Sequence, residues 1–357
     1  MNLLFYKDNL STGRGADHLV CAQAAGLAKI GHKVTLATCP TDKAYTFSVD
    51  KCVEIVNVTR SEVRQFAESF DVCIAAGSNE ICDLTENGRF KPLVPTITEL
   101  MLAPSGFFKW KRFIRNYRIK KAFNKSDVLQ ILCSSYETAL RKFAPDPKVV
   151  TIGEWPDVRE PTHDELEGQN RRPVIVYPAA VNKLKNQLLL IRAFGAIAGA
   201  FPDWELHIYG RMHPKYGAKC RKAVKAAGLS ERIKFFPFTD DLPSVYASSA
   251  IMAFPSLLEG FPLTILEGAR FGLPSVVVRE LPGADEMVAD GVTGLVSFDN
   301  VQSYAESLRR LMADDDFRRR LGGAARELVS VRFTYDKILQ QWDSLVHEVF
   351  EKKVVKK

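Results

Sequence analysis

The stretch SLLEGFPLTILEGARFG, Ser256 to Gly272, decides how this chain is to be read. It follows AIMAFP (Ala250 to Pro255), a short apolar run with the character of a buried strand. Pro262 suits the first turn of a helix, where its missing N–H costs nothing, and Gly272 suits the end of one. The spacing therefore predicts a strand, a loop, and a helix over about 262–271. The first amide donors of that helix belong to Leu263 and Thr264, and with the positive end of the helix dipole they make an anion site. Glu259 stands just before the helix and Glu267 inside it, with Gly260 and Phe261 after the first acid. Two like charges beside an apolar segment cost free energy unless something binds them. Carboxylates suit hydroxyl groups, which they accept more strongly than a neutral oxygen does. A nucleotide-sugar satisfies every group: sugar hydroxyls on Glu259, diphosphate on the helix amides, ribose hydroxyls on Glu267. Gly260 lets such a ligand approach the backbone closely.

Outward from this stretch, β-branched runs alternate with helical patterns along the whole chain. In the first half the strand candidates are NLLFY, KVTLAT, VEIVNV, DVCIAA, VPTIT, VLQILC and KVVTI; in the second they are PVIVYPA, WELHIYG, RIKFFPF, AIMAFP, PSVVV and GLVSF. Apolar runs separated by helices imply parallel sheets covered on both faces. Between the halves, GEWPDVREPTHDELEGQNRRP (Gly153 to Pro173) is rich in proline and charge and has no periodicity. The expected architecture is α/β, with two Rossmann-like domains whose sheets face a central cleft: 1–153, a linker and hinge at 154–172, and 173–333. Ligands of such sheets bind beyond the carboxyl ends of the strands.

The bulk properties agree. A chain of 357 residues is long for one core, and 46% hydrophobic with 25% charged residues fits a globular protein. No apolar run reaches the ~18 residues of a membrane span. The seven scattered cysteines contain no Cys-x-x-Cys, which fits reduced thiols in a cytoplasm and neither a disulfide framework nor a zinc site. A net charge of +7 favours an anionic partner.

The succession of motifs resembles the retaining GT-B glycosyltransferases, family 4-like (glycosyl transferases group 1). EGFPLTILEGARFGLPSVV is similar to their Glu-x7-Glu signature, and STGRGADHLVCAQAAGLAKIGHKVTLAT to their glycine loop and first helix. KNQLLLIRAFGAIAGAFPDWELHIYG, LPSVYASSAIMAFPSLLEGFP and GADEMVADGVTGLV follow their donor-domain blocks in order and spacing. The resemblance implies that the first half is the acceptor side and the second the donor side. It also implies that 334–350 is a helix crossing back to the first domain, anchored by Trp342 and Leu345, ahead of a basic tail at 351–357. It assigns Glu259 to the transferred sugar, Glu267 to the ribose and Lys185 to the diphosphate. An arginine usual in the family is replaced by Ala179 and Ala180, so Arg211, or Lys183, is expected to supply that charge. Gly13, Arg14 and Gly15 would lie over the donor phosphates. PTITELMLAP carries Glu99 where relatives often have a histidine, so Glu99 and Asp17 are the acceptor-side candidates.

The implied activity is transfer of a hexose-type unit from a nucleoside-diphosphate sugar, a UDP-sugar for example, to a glycan or lipid-linked glycan of polysaccharide or lipopolysaccharide type. No cofactor and no metal are implied; TDD (Thr239 to Asp241) reads as a helix start. FFKWKRFIRNYRIKKAF (Phe107 to Phe123) carries seven basic residues and no acid. Its Trp110, Phe113, Ile114 and Tyr117 share one helical face, which suits either an anionic membrane surface or packing into the first domain. No RNA-binding motif accompanies it, so no nucleic acid partner is expected. Placement is then cytoplasmic, peripheral on the inner face of the membrane. Two alternatives stay open: a nucleotide-sugar epimerase of the same fold class, and a catalytically silent nucleotide-sugar-binding subunit, the latter suggested by Ala179 and Ala180.

Overall fold

A computed structural model of the protein describes residues 1–11, 15–42, 44–45, 48–100, 110–167 and 171–354. The chain forms two compact units, Met1–Gly153 with Tyr335–Lys357, and Glu154–Thr334. All thirteen strand candidates become strands, and both sheets are parallel throughout their registered pairs.

The first unit holds seven strands: β1 (Asn2–Tyr6), β2 (Lys33–Thr38), β3 (Val53–Asn57), β4 (Val72–Ala75), β5 (Thr96–Leu100), β6 (Val128–Ile131) and β7 (Lys148–Thr151). Their order across the sheet is β3-β2-β1-β4-β5-β6-β7. Leu3, Leu4, Phe5 and Tyr6 are fully buried, as are Cys73 and Ile74, because helices cover both faces and leave no polar side. The helix Tyr335–Val354 belongs to this unit. Trp342 and Leu345 are buried there, Asp343 meets His32 at 2.7 Å, and Lys148 meets Glu348 at 2.8 Å.

The second unit holds β8 (Val174–Pro178), β9 (Glu205–Tyr209), β10 (Ile233–Phe236), β11 (Ile251–Phe254), β12 (Ser275–Val278) and β13 (Gly294–Ser297), in the order β10-β9-β8-β11-β12-β13. Strand order thus reverses between β1 and β4 in one unit and between β8 and β11 in the other. Those two reversal points are where open parallel sheets hold their ligands.

The segment read as the linker and hinge has local structure of its own. Its described residues fall within the second unit, and Glu154 and Trp155 are buried. A capping box makes the short helix His163–Glu167: the Glu165 amide donates to Thr162 Oγ1 at 3.3 Å, and the Thr162 amide to Glu165 Oε2 at 2.8 Å. Arg270 donates to the Val158 carbonyl at 2.6 Å and ties the segment down further. The helix Trp110–Phe123 buries Ile119, Ala122 and Phe123 but exposes Ile114 and Tyr117, so these two members of the aromatic stripe lie outside the core. The side chains of Trp110 and Phe113 lie outside the described residues.

Candidate functional site

At the β8–β11 reversal point two loops are stitched together. After β8, Asn182 Oδ1 accepts the Leu184 and Lys185 amides at 2.9 and 3.2 Å, which closes a turn of 3-10 helix over Lys183–Lys185. Asn186 then takes a left-handed conformation, φ 54°, that asparagine tolerates better than most residues, and the helix Gln187–Ile197 begins. The buried Tyr177 hydroxyl donates to the Lys185 carbonyl at 2.9 Å and shares a 2.7 Å hydrogen bond with Ser256 on the other loop. The Leu257 amide donates to the Leu184 carbonyl at 2.9 Å. Burial, then the nearby Glu259 charge, pushes the Tyr177 phenol well above its usual range, so it stays a donor.

These contacts place Lys185 against Glu259. The ammonium donates to both carboxylate oxygens, with side-chain exposures of 24% for Lys185 and 11% for Glu259. The two residues expected to hold different parts of a ligand hold each other. That is chemically compatible with both roles. An ammonium has three N–H donors, so one remains for a phosphate oxygen, and a carboxylate has about four lone-pair sites, so it can accept sugar hydroxyls as well.

The helix itself spans Leu263–Arg270, with Pro262 as its N-cap and Gly272 at φ +73° beyond its end. One expectation is corrected here. The Leu263 amide is not open to a ligand: it donates to the Phe261 carbonyl at 2.9 Å, because the chain folds back tightly across Pro262. No hydrogen bond among the described residues takes up the Thr264 amide. Glu267 is buried, not a solvated helix residue, and accepts the Tyr246 hydroxyl at 2.6 Å. Tyr246 sits in a cluster with Val176, Met252, Phe271 and Leu273, which fixes the direction of the Glu267 carboxylate. Tyr177, Asn182, Ser256 and Tyr246 are positioning residues that the sequence did not single out, although Tyr246 and Ser256 lie within the quoted motif blocks.

Arg211 follows β9 and lies next to the loop where the arginine is missing. Gly210 has φ +140°, and a Cβ there would stand 2.6 Å from the Ala179 carbonyl oxygen, so only glycine lets the two loops run side by side. The Val181 amide donates to the Arg211 carbonyl at 2.9 Å. The Arg211 and Lys183 side chains are exposed, and neither forms an ion pair with a described residue. Asp241 caps the helix Leu242–Ser248 by accepting the Ser244 amide at 3.3 Å, as expected of a helix start.

The reversal point of the first unit carries charge too. Lys7, just beyond β1, donates to Glu80 beyond β4 at 2.5 Å. Glu99, inside β5, is fully buried and accepts from Gln23 Nε2 at 3.1 Å; its other oxygen has no hydrogen-bond partner among the described residues. Burial pushes both carboxyls, Glu80 and Glu99, up to about 7. Asp17 is buried in the first turn of the helix Gly15–Lys29. Gly13 and Arg14 lie outside the described residues.

Comparison with known proteins agrees with this fold. Residues 158–328 match the family model of glycosyl transferases group 1. An uncharacterized glycosyltransferase of Haemophilus influenzae is 22% identical over 96% of this chain and 99% of its own length. A D-inositol 3-phosphate glycosyltransferase of Corynebacterium glutamicum is 27% identical over 58% of this chain, which spans about half (52%) of that relative. Among solved structures, Anabaena HepE in complex with UDP superposes with a TM-score of 0.82 at 19% identity, over 98% of this chain and all of the other. WaaG, a glycosyltransferase involved in lipopolysaccharide biosynthesis, gives 0.76 at 14% identity, over 96% of this chain and 99% of the other.

Proposed function

We propose that this chain is a GT-B glycosyl transferase of group 1 that moves a hexose unit from a nucleoside-diphosphate sugar to a glycan or lipid-linked glycan with retention of configuration. The observation that carries this reading is the Lys185–Glu259 pair at the β8–β11 reversal point, one short loop ahead of the helix that bears Thr264 and Glu267. UDP and UDP-glucose complexes of Anabaena HepE support a UDP-sugar as donor. Glu259 takes the sugar hydroxyls, Lys185 and the Thr264 amide take the diphosphate, Arg211 adds the second cation, and Glu267 takes the ribose. With those charges in place the departing diphosphate is stabilised without a required metal. The acceptor oxygen bonds to the anomeric carbon on the face the diphosphate leaves, and its proton passes to the departing phosphate oxygen.

Replacing Glu259 with Ala should lower transfer from UDP-glucose on the order of 10²–10³-fold, the scale of losing one group that meets the reacting centre. UDP release in the presence of a lipid-linked glycan extract measures it, and normal turnover removes Glu259 from the mechanism. Sugar products formed without any acceptor would instead favour an epimerase, and binding without turnover a silent subunit.

The exposed Ile114 and Tyr117, with the basic residues around them, support a peripheral membrane contact. Vesicles of phosphatidylglycerol should sediment the wild type and release a Lys109→Glu, Lys111→Glu, Arg112→Glu variant. Equal sedimentation of the two would refute the contact.

A further inference from the structure

The second unit contains a cavity of about 640 Å³ that is separate from the site above. Its rim includes Pro173, Trp204, Ala250 and Gly272, the residues that lead into β8, β9, β11 and β12. It therefore lies at the amino ends of the strands, whereas Lys185 and Glu259 lie beyond their carboxyl ends. The helix Leu263–Arg270 separates the two by its length, roughly 12 Å at 1.5 Å per residue.

Five arginines line this cavity: Arg171, Arg172, Arg318, Arg319 and Arg326. The carboxylates among its lining residues are Glu167 and Asp315. Asp315 is divided between Arg318, which it meets closely, and Arg319 at 2.7 Å. Arg171, Arg172 and Arg326 form no ion pair with a described residue. Arg171 turns instead to backbone, donating to the Gly272 carbonyl at 3.2 Å and to that of Phe271. Arg318 lies 5.2 Å over the Trp204 ring, which holds it at the wall. Burial and then repulsion by Arg318 and Arg319 lower the Arg171 guanidinium from its usual range. Like charges gathered in a cavity raise its free energy, and an anion relieves that. Guanidinium forks match phosphate oxygens in pairs, and the volume is that of a small-molecule site, ~300–1,000 Å³.

We propose that this arginine-lined cavity is a second ligand site, for a compact phosphate-bearing group. The group is either a soluble phosphorylated compound or the headgroup of an anionic lipid; the phosphate is common to both.

The test is calorimetric titration of the full chain with inorganic pyrophosphate. The wild type and a Lys185→Ala variant should both show saturable binding at the cavity. An Arg319→Ala, Arg326→Ala variant, whose altered side chains sit at the exposed rim, should lose at least tenfold in affinity at that step while melting at the same temperature as the wild type. Saturable binding in the wild type that the double variant leaves unchanged, or that Lys185→Ala abolishes, would overturn the proposal, as would no binding. Sedimentation of the same proteins with phosphatidylglycerol vesicles separates the sources: weaker sedimentation of the double variant assigns a lipid headgroup, and equal sedimentation with weakened pyrophosphate binding assigns a soluble compound.

Discussion

The two sheets place a lysine and a glutamate at the same topological point and surround them differently. Lys7 follows β1 and meets Glu80 beyond β4; Lys185 follows β8 and meets Glu259 beyond β11. In the first unit Glu80 is 2% exposed and has the buried Glu99 nearby, so desolvation works against both negative charges. In the second unit Lys185 is 24% and Glu259 11% exposed, and the pair stands just ahead of a helix start. The difference teaches that a shared fold supplies the location and burial decides the chemistry. One reversal point holds two buried carboxyls that desolvation pushes up to about 7. The other is a standing pair of opposite charges suited to a ligand that carries both hydroxyls and phosphates.

The largest expected effect tests the first half of that contrast. Burial raises the Glu99 carboxyl from 4.5 to about 7, so the folded chain keeps a proton that the unfolded chain releases near pH 4.5. Its stabilising contribution is complete below pH 4.5 and is lost as pH rises through about 7. Glu99→Gln keeps the acceptor for Gln23 and removes the titration. Urea denaturation should find the variant about 3 kcal/mol more stable than wild type at pH 8.5, at ~1.4 kcal/mol per tenfold, and level with it at pH 4. An equal difference at both pH values would contradict a buried, titrating Glu99. The second half is tested by Lys185→Ala, which removes one charge-assisted contact. Its affinity for UDP should fall by ~1.5–3 kcal/mol. Unchanged affinity would erase the contrast between the two points.

Much of this was legible in the residues themselves. Parallel strands buried on both faces write themselves as continuous apolar runs, so each strand and the two α/β halves could be read directly, while the return of the helix at Trp342 came from the family resemblance. Glu259 and Glu267 stood out because proline, glycine and acid are spaced around a helix start, whereas Lys185 was singled out by the family resemblance. What could not be read depends on contacts made across the chain. The Lys185–Glu259 pair joins residues 74 positions apart, and Tyr246 reaches Glu267 from a neighbouring helix. The fate of the Leu263 amide depends on how the backbone turns at Pro262, which no side-chain pattern records. The local structure of the 154–172 segment was hidden for a related reason. Its proline, charge and lack of periodicity mark a linker and hinge but do not show the Thr162–Glu165 capping box or the Arg270 contact with Val158.

The most direct test is a crystal structure of the full chain soaked with UDP-glucose. The account predicts glucose hydroxyls on Glu259, the diphosphate at Lys185 and the Thr264 amide, and ribose hydroxyls on Glu267. UDP-glucose bound elsewhere, with the Lys185–Glu259 pair intact and untouched, would contradict it.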